Sequence, residues 1–66
     1  MNVTVNDKPF TLPAASTLED ALTAAKVSPK GIATALNGAV IPAPMRAKTV
    51  LADGDKILVI TAFYGG

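Results

Sequence analysis

A chain of 66 residues with neither cysteine nor histidine has to fold by packing alone. Disulfides, the usual staple of small secreted domains, are excluded, and a structural zinc site lacks its normal ligands. A domain this small buries only about 60% of its unfolded surface, so it needs one compact, regular core. The composition permits one: 50% of the residues are hydrophobic and 17% charged, a globular rather than a disordered balance. Much of the apolar fraction is alanine, which leaves the Val, Ile, Leu and Phe positions to build the interior.

The same absences remove Ser–His and Cys–His nucleophilic pairs, and only five carboxylates remain for acid–base work. The chain is therefore not expected to be an enzyme by itself. A net charge of +1, with scattered lysines and a single Arg46, gives no basic footprint for nucleic acid. One tyrosine and two phenylalanines make no stacking platform for bases. The longest apolar run, from Ile57 to Tyr64, is far too short to span a membrane, and the start lacks a basic, apolar leader. The expectation is a single soluble, cytoplasmic, monomeric domain over residues 1–66.

Asn2-Val3-Thr4-Val5-Asn6 alternates at period two, which predicts a half-buried strand with Val3 and Val5 inward. Asn6-Asp7-Lys8-Pro9 supplies turn chemistry and Phe10-Thr11-Leu12 resumes the alternation, giving a hairpin. Leu18, Ala21, Leu22 and Ala25 then form one helical stripe. Its start fits a capping box from Ser16 to Glu19 or from Thr17 to Asp20, and Lys26 falls in the last turn. Ser28-Pro29 and Gly31 are expected to end it. Asn37-Gly38 between Ile32–Leu36 and Ala39–Ile41 is a strong hairpin signal, and Pro42 and Pro44 limit the return strand. Ala47 to Leu51 reads as a further short strand or irregular chain. After the Asp53-Gly54-Asp55 turn, which lacks calcium-loop spacing, Lys56–Ala62 carries large side chains on both faces and suits a central strand. The order predicts an α+β fold, with a mixed sheet of four to five strands packed against one helix.

Three of the five glycines sit at turns or a helix end, which leaves Gly65 and Gly66 at the end of the sequence without a structural need. With glycine usage near about 7%, chance gives such a pair in roughly 0.5% of chains. A scar or an incidental flexible tail over about residues 63–66 is one reading. The other is a terminus that a partner's active site must thread, with no side chains to obstruct an ionised α-carboxylate that can be activated on a nucleotide phosphate.

Taken together, Thr17-Leu18-Glu19-Asp20-Ala21-Leu22, Ala35-Leu36-Asn37-Gly38-Ala39-Val40-Ile41-Pro42, Asp53-Gly54-Asp55-Lys56-Ile57 and Gly65-Gly66 give a pattern that spans nearly the whole chain in order. It resembles the ubiquitin-like β-grasp sulfur carriers, and most closely the thiamin-biosynthesis carriers of the ThiS type. The resemblance implies a carrier that binds no cofactor. A ubiquitin-activating-enzyme-like adenylyltransferase uses Mg-ATP to convert the terminal carboxylate, here Gly66, to an acyl-adenylate. A persulfide sulfur donor then yields a thiocarboxylate, and thiazole synthase takes its sulfur; Gly65 provides clearance. The family often has Arg-Ser directly after the Val-Pro step, whereas this chain reads Pro42-Ala43-Pro44-Met45-Arg46, which leaves Arg46 as a shifted basic residue. The rival readings are a molybdopterin synthase small subunit, a protein modifier, and an interaction module with an incidental tail.

If Ile57 and Val59 face the helix, Leu58 and Ile60 face away, and two large apolar side chains on an uncovered sheet face mark a partner interface. A covering loop or a homodimer would also account for them. Phe63 and Tyr64 either cap the sheet end or extend with the tail as aromatic anchors for a partner.

Overall fold

The computed structural model describes residues 1–61. Over these residues the chain forms strands β1 (Asn2–Val5) and β2 (Lys8–Thr11), helix α1 (Leu18–Ala24), strands β3 (Ile32–Leu36) and β4 (Ala39–Ile41), a 3₁₀ helix (Ala43–Lys48) and strand β5 (Lys56–Thr61). The strands make one mixed sheet in the order β2-β1-β5-β3-β4. β5 lies at the centre, parallel to β1 and antiparallel to β3, as its two apolar faces predict.

Both hairpins close through two-residue loops with positive φ, Asn6-Asp7 (50° and 68°) and Asn37-Gly38 (50° and 88°), the geometry whose twist matches the flanking strands. Pro9 lies opposite Thr4 on edge strand β2. It belongs to a non-hydrogen-bonded pair, so its missing N–H falls on the solvent side and costs no ladder bond.

The helix starts at Thr17, not Ser16. The Asp20 amide donates to Thr17 Oγ1 at 3.3 Å and the Thr17 amide to the Asp20 carboxylate at 2.9 Å, a reciprocal capping box. Ser16 is buried and turns back to Pro13 O at 2.8 Å. The helix also ends earlier than the Ser28-Pro29-Gly31 signal indicates. Lys26 lies beyond the cap at φ 59°, its amide bonding Thr23 O while the Val27 amide bonds Leu22 O. This is a Schellman closure with lysine in the place that glycine usually takes, and Lys26 is not in the last turn.

Leu18 and Ala21 of the helix pack on Val3, Val5 and Ile57 of the sheet, with Leu12 and Leu51 closing the sides. The Ala47–Leu51 region does not form a strand. Ala43–Lys48 winds into a 3₁₀ helix with proline in its first turn, and only Val50 makes a bridge, to Thr17. Arg46, which the sequence offers only as one of several scattered basic residues, is 5% exposed. Its Nε donates to Thr34 Oγ1 at 3.1 Å, Nη1 to Pro29 O at 3.1 Å and Nη2 to Ile32 O at 2.9 Å. β4 stops before Pro42, and the alternation along β3 points the Ile32 carbonyl toward the strand that is no longer there. The guanidinium takes that strand's place.

Arg46→Met removes these donors and leaves the Pro29 and Ile32 carbonyls, both in partly buried bonds, without their partner. Thermal unfolding should show a loss of about 2 kcal/mol, or roughly 8–16 °C in Tm for a domain of this size. Lys26→Gly should move the other way, raising stability by about 0.5–1 kcal/mol, because relief of the left-handed cost outweighs the extra conformational entropy that glycine gives the unfolded chain.

Candidate functional site

Among the described residues, one short helix covers one face of the sheet and nothing packs over the other. Strand registers place Asn2, Thr4, Pro9, Thr11, Lys56, Leu58, Ile60, Ala33, Ala35 and Val40 on it. Its composition divides sharply. Across β1 and β2 it is polar, with Thr11 Oγ1 bonding Asn2 Oδ1 at 3.0 Å. Across β5, β3 and β4 it is apolar, with Leu58 and Ile60 each 51% exposed and Val40 75% exposed. Ala35 lies in one row with Leu58 and Val40 and is buried between them. The two alanines of β3 thus form a trough floor between the Leu58–Ile60 ridge and Val40. Lys56 is the one charged side chain that the described strands place on this face.

The expected placement of Leu58 and Ile60 is met: Ile57 is buried and Val59 packs against the core, while their neighbours point out. Val40 was not singled out from sequence, since three residues before a proline give no face assignment of their own. At the foot of the apolar half, a hollow of about 200 Å³ is lined by Asn6, Asn37, Lys56 and Leu58 among others. Phe63, Tyr64, Gly65 and Gly66 lie outside the described residues.

The acidic turn before β5 is committed to structure. Asp53 Oδ1 accepts the Asn2 amide at 2.6 Å, while Asp55 accepts the Ala52 amide at 2.8 Å and Asn37 Nδ2 at 3.0 Å. These bonds fix where β5 begins relative to β1 and to the β3–β4 loop. Among the described residues no cluster of three or more metal-ligating side chains occurs, and no helix is long and apolar enough to cross a membrane.

Alternate positions along β5 are therefore exposed and packed. Leu58→Glu should change unfolding free energy by no more than about 1 kcal/mol, because the side chain is half in solvent. Ile57→Ala, one residue away, should cost about 2–4 kcal/mol through loss of buried methyl groups. Equal losses from the two substitutions in urea titrations would mean that the faces are assigned wrongly.

A family model, the ThiS family, matches residues 3–66. Among solved structures, a crystal structure described as thiamine biosynthesis protein (ThiS) from Geobacter metallireducens superposes with a TM-score of 0.78 at 33% identity, covering 100% of this chain and 99% of that one. An NMR solution structure of a thiamine biosynthesis protein from the same organism gives a TM-score of 0.72 at 33% identity, covering 100% and 88%. No curated protein sequence gives a significant match. The five-stranded mixed sheet with one helix is the ubiquitin-like β-grasp architecture, and with a family match over nearly the whole chain, this protein belongs to the ThiS family.

Proposed function

We propose that the chain is a sulfur carrier of thiamin biosynthesis whose Gly66 carboxylate is the cargo site. The observation that carries this reading is positional. The apolar half of the open face includes the outer side of β5, and β5 is the strand that leads into Ala62-Phe63-Tyr64-Gly65-Gly66. A partner that grips Leu58, Ile60 and Val40 holds the strand from which the reactive end continues. Both neighbouring structures are described as thiamine biosynthesis proteins, which favours the thiazole branch over the molybdopterin one.

In this reading the carrier does no bond-making of its own. A carboxylate oxygen of Gly66 attacks the α-phosphorus of Mg-ATP held by an adenylyltransferase, and pyrophosphate leaves. The terminal sulfur of a donor persulfide attacks the acyl-adenylate carbon and AMP leaves. A second thiol cleaves the resulting S–S bond, forming a disulfide with the donor sulfur and leaving the carrier as a thiocarboxylate for thiazole synthase. Gly65 and Gly66 contribute an unhindered approach, and Phe63 and Tyr64 supply apolar anchors on the way into the cleft. The apolar face contributes binding energy remote from the reacting carbon, which a partner can use to hold that carbon in line.

Deleting Gly66 should abolish carrier-dependent ATP–pyrophosphate exchange by the adenylyltransferase, with unfolding unchanged. Leu58→Glu should raise the carrier KM about tenfold or more while leaving exchange at saturation nearly intact, the signature of lost docking. Undiminished activity in the Gly66 deletion would support an interaction module with an incidental tail.

A further inference from the structure

The far half of β5 extends beyond its neighbour on one side. β1 pairs with β5 only at Lys56 and Ile57, whereas β3 accompanies β5 as far as Thr61. The alternation of the ladder turns the N–H and C=O of Val59 away from β3, toward the space where β1 has already turned into its hairpin. Both groups are nevertheless paired. The Val59 amide donates to Asn6 Oδ1 at 2.8 Å, and Asn6 Nδ2 donates to Val59 O at 3.3 Å. The Asn6 backbone amide donates to Ile57 O at 3.0 Å, so this one residue carries the β1 ladder past the end of the strand. On the opposite side of the ribbon, Arg46 does the corresponding work for Ile32, the residue opposite Thr61. Two side chains thus stand in for two missing strands at the end of the sheet where β5 finishes.

We propose that Asn6 is a positioning residue for transfer chemistry at the carrier terminus: its side chain locks Val59, and with it the end of β5 at Thr61 that the adenylating partner holds when it acts on the terminus. This inference rests on the carrier reading above. Asn6 is exposed and sits in a turn at positive φ, so it can be altered without opening the core. Asn6→Gly keeps the turn conformation and removes both bonds to Val59. Asn6→Asp keeps the acceptor for the Val59 amide.

The test is steady-state ATP–pyrophosphate exchange by the cognate adenylyltransferase with full-length carrier, alongside amide hydrogen exchange of Val59 by NMR. Asn6→Gly should speed Val59 exchange about tenfold or more and lower kcat about tenfold, with KM within about twofold, since a small misplacement of the reacting group acts on kcat. Asn6→Asp should retain kcat within about threefold. Partial unfolding has a different signature, because it reduces the competent fraction, raising apparent KM and leaving kcat. An unchanged kcat in Asn6→Gly, or a rise in KM alone, overturns the proposal. Absence of exchange with the unsubstituted chain overturns the carrier reading, and this inference with it.

Discussion

A seven-residue helix cannot cover both faces of a five-stranded sheet, and the rest of the molecule follows from that mismatch. The covered face has to hold the whole core, so Val3, Val5 and Ile57 are drawn into one cluster with Leu18 and Ala21. With no disulfide or metal to compensate, each of these positions is nearly free of solvent contact. The open face is released from packing duty. Its β1–β2 half is polar, as solvent requires. Its β5–β3–β4 half is not, and the exposed Leu58, Ile60 and Val40 have no role in the core. In the proposed carrier reading, this is the surface that a partner grips.

Unequal strand lengths raise a second requirement. β1 and β4 stop short of the end of the β3–β5 ribbon, and backbone groups left there must be satisfied by something other than strands. Asn6 and Arg46 meet that need by different means. Asn6 offers an amide that imitates a peptide group. Arg46 reaches in from the 3₁₀ helix and divides its donors among three oxygens, with no carboxylate among those partners. The guanidinium suits this work because its planar fork serves several acceptors at once and is weakly hydrated compared with an ammonium. Val59 and Ile32, near the end of the β3–β5 ribbon, are thus held by side-chain bonds in place of strands.

The parts of this architecture legible in the sequence are those set by neighbours along the chain. Alternation at Asn2–Val5, the Asn37-Gly38 turn and the stripe from Leu18 to Ala25 each act within a few residues, and period two sufficed to turn Leu58 and Ile60 outward. What was not legible is set across the fold. Lys26 takes a left-handed conformation because Val27 has to reach back to Leu22, and no residue type there announces it. Arg46 goes inside because β4 ends two residues too soon for Ile32, a fact about register rather than composition. The 3₁₀ helix had a readable signal in Pro44 followed by Met-Arg-Ala-Lys, good helix formers after a proline in the first turn. Thr17 prevailed over Ser16 as the cap because Ser16 backbone O accepts the Leu51 amide at 2.8 Å, tying it into the approach to β5.

The proposed carrier function puts the modification on the carboxylate of Gly66. The most direct measurement is the intact mass of the full chain after incubation with ATP, its adenylyltransferase and a persulfide donor, followed by fragmentation to place the change. A sulfur carrier should show a shift equal to exchanging one oxygen for sulfur, confined to Gly66. An unchanged mass with an enzyme and donor shown to be competent on another carrier, or a shift located elsewhere, would contradict it.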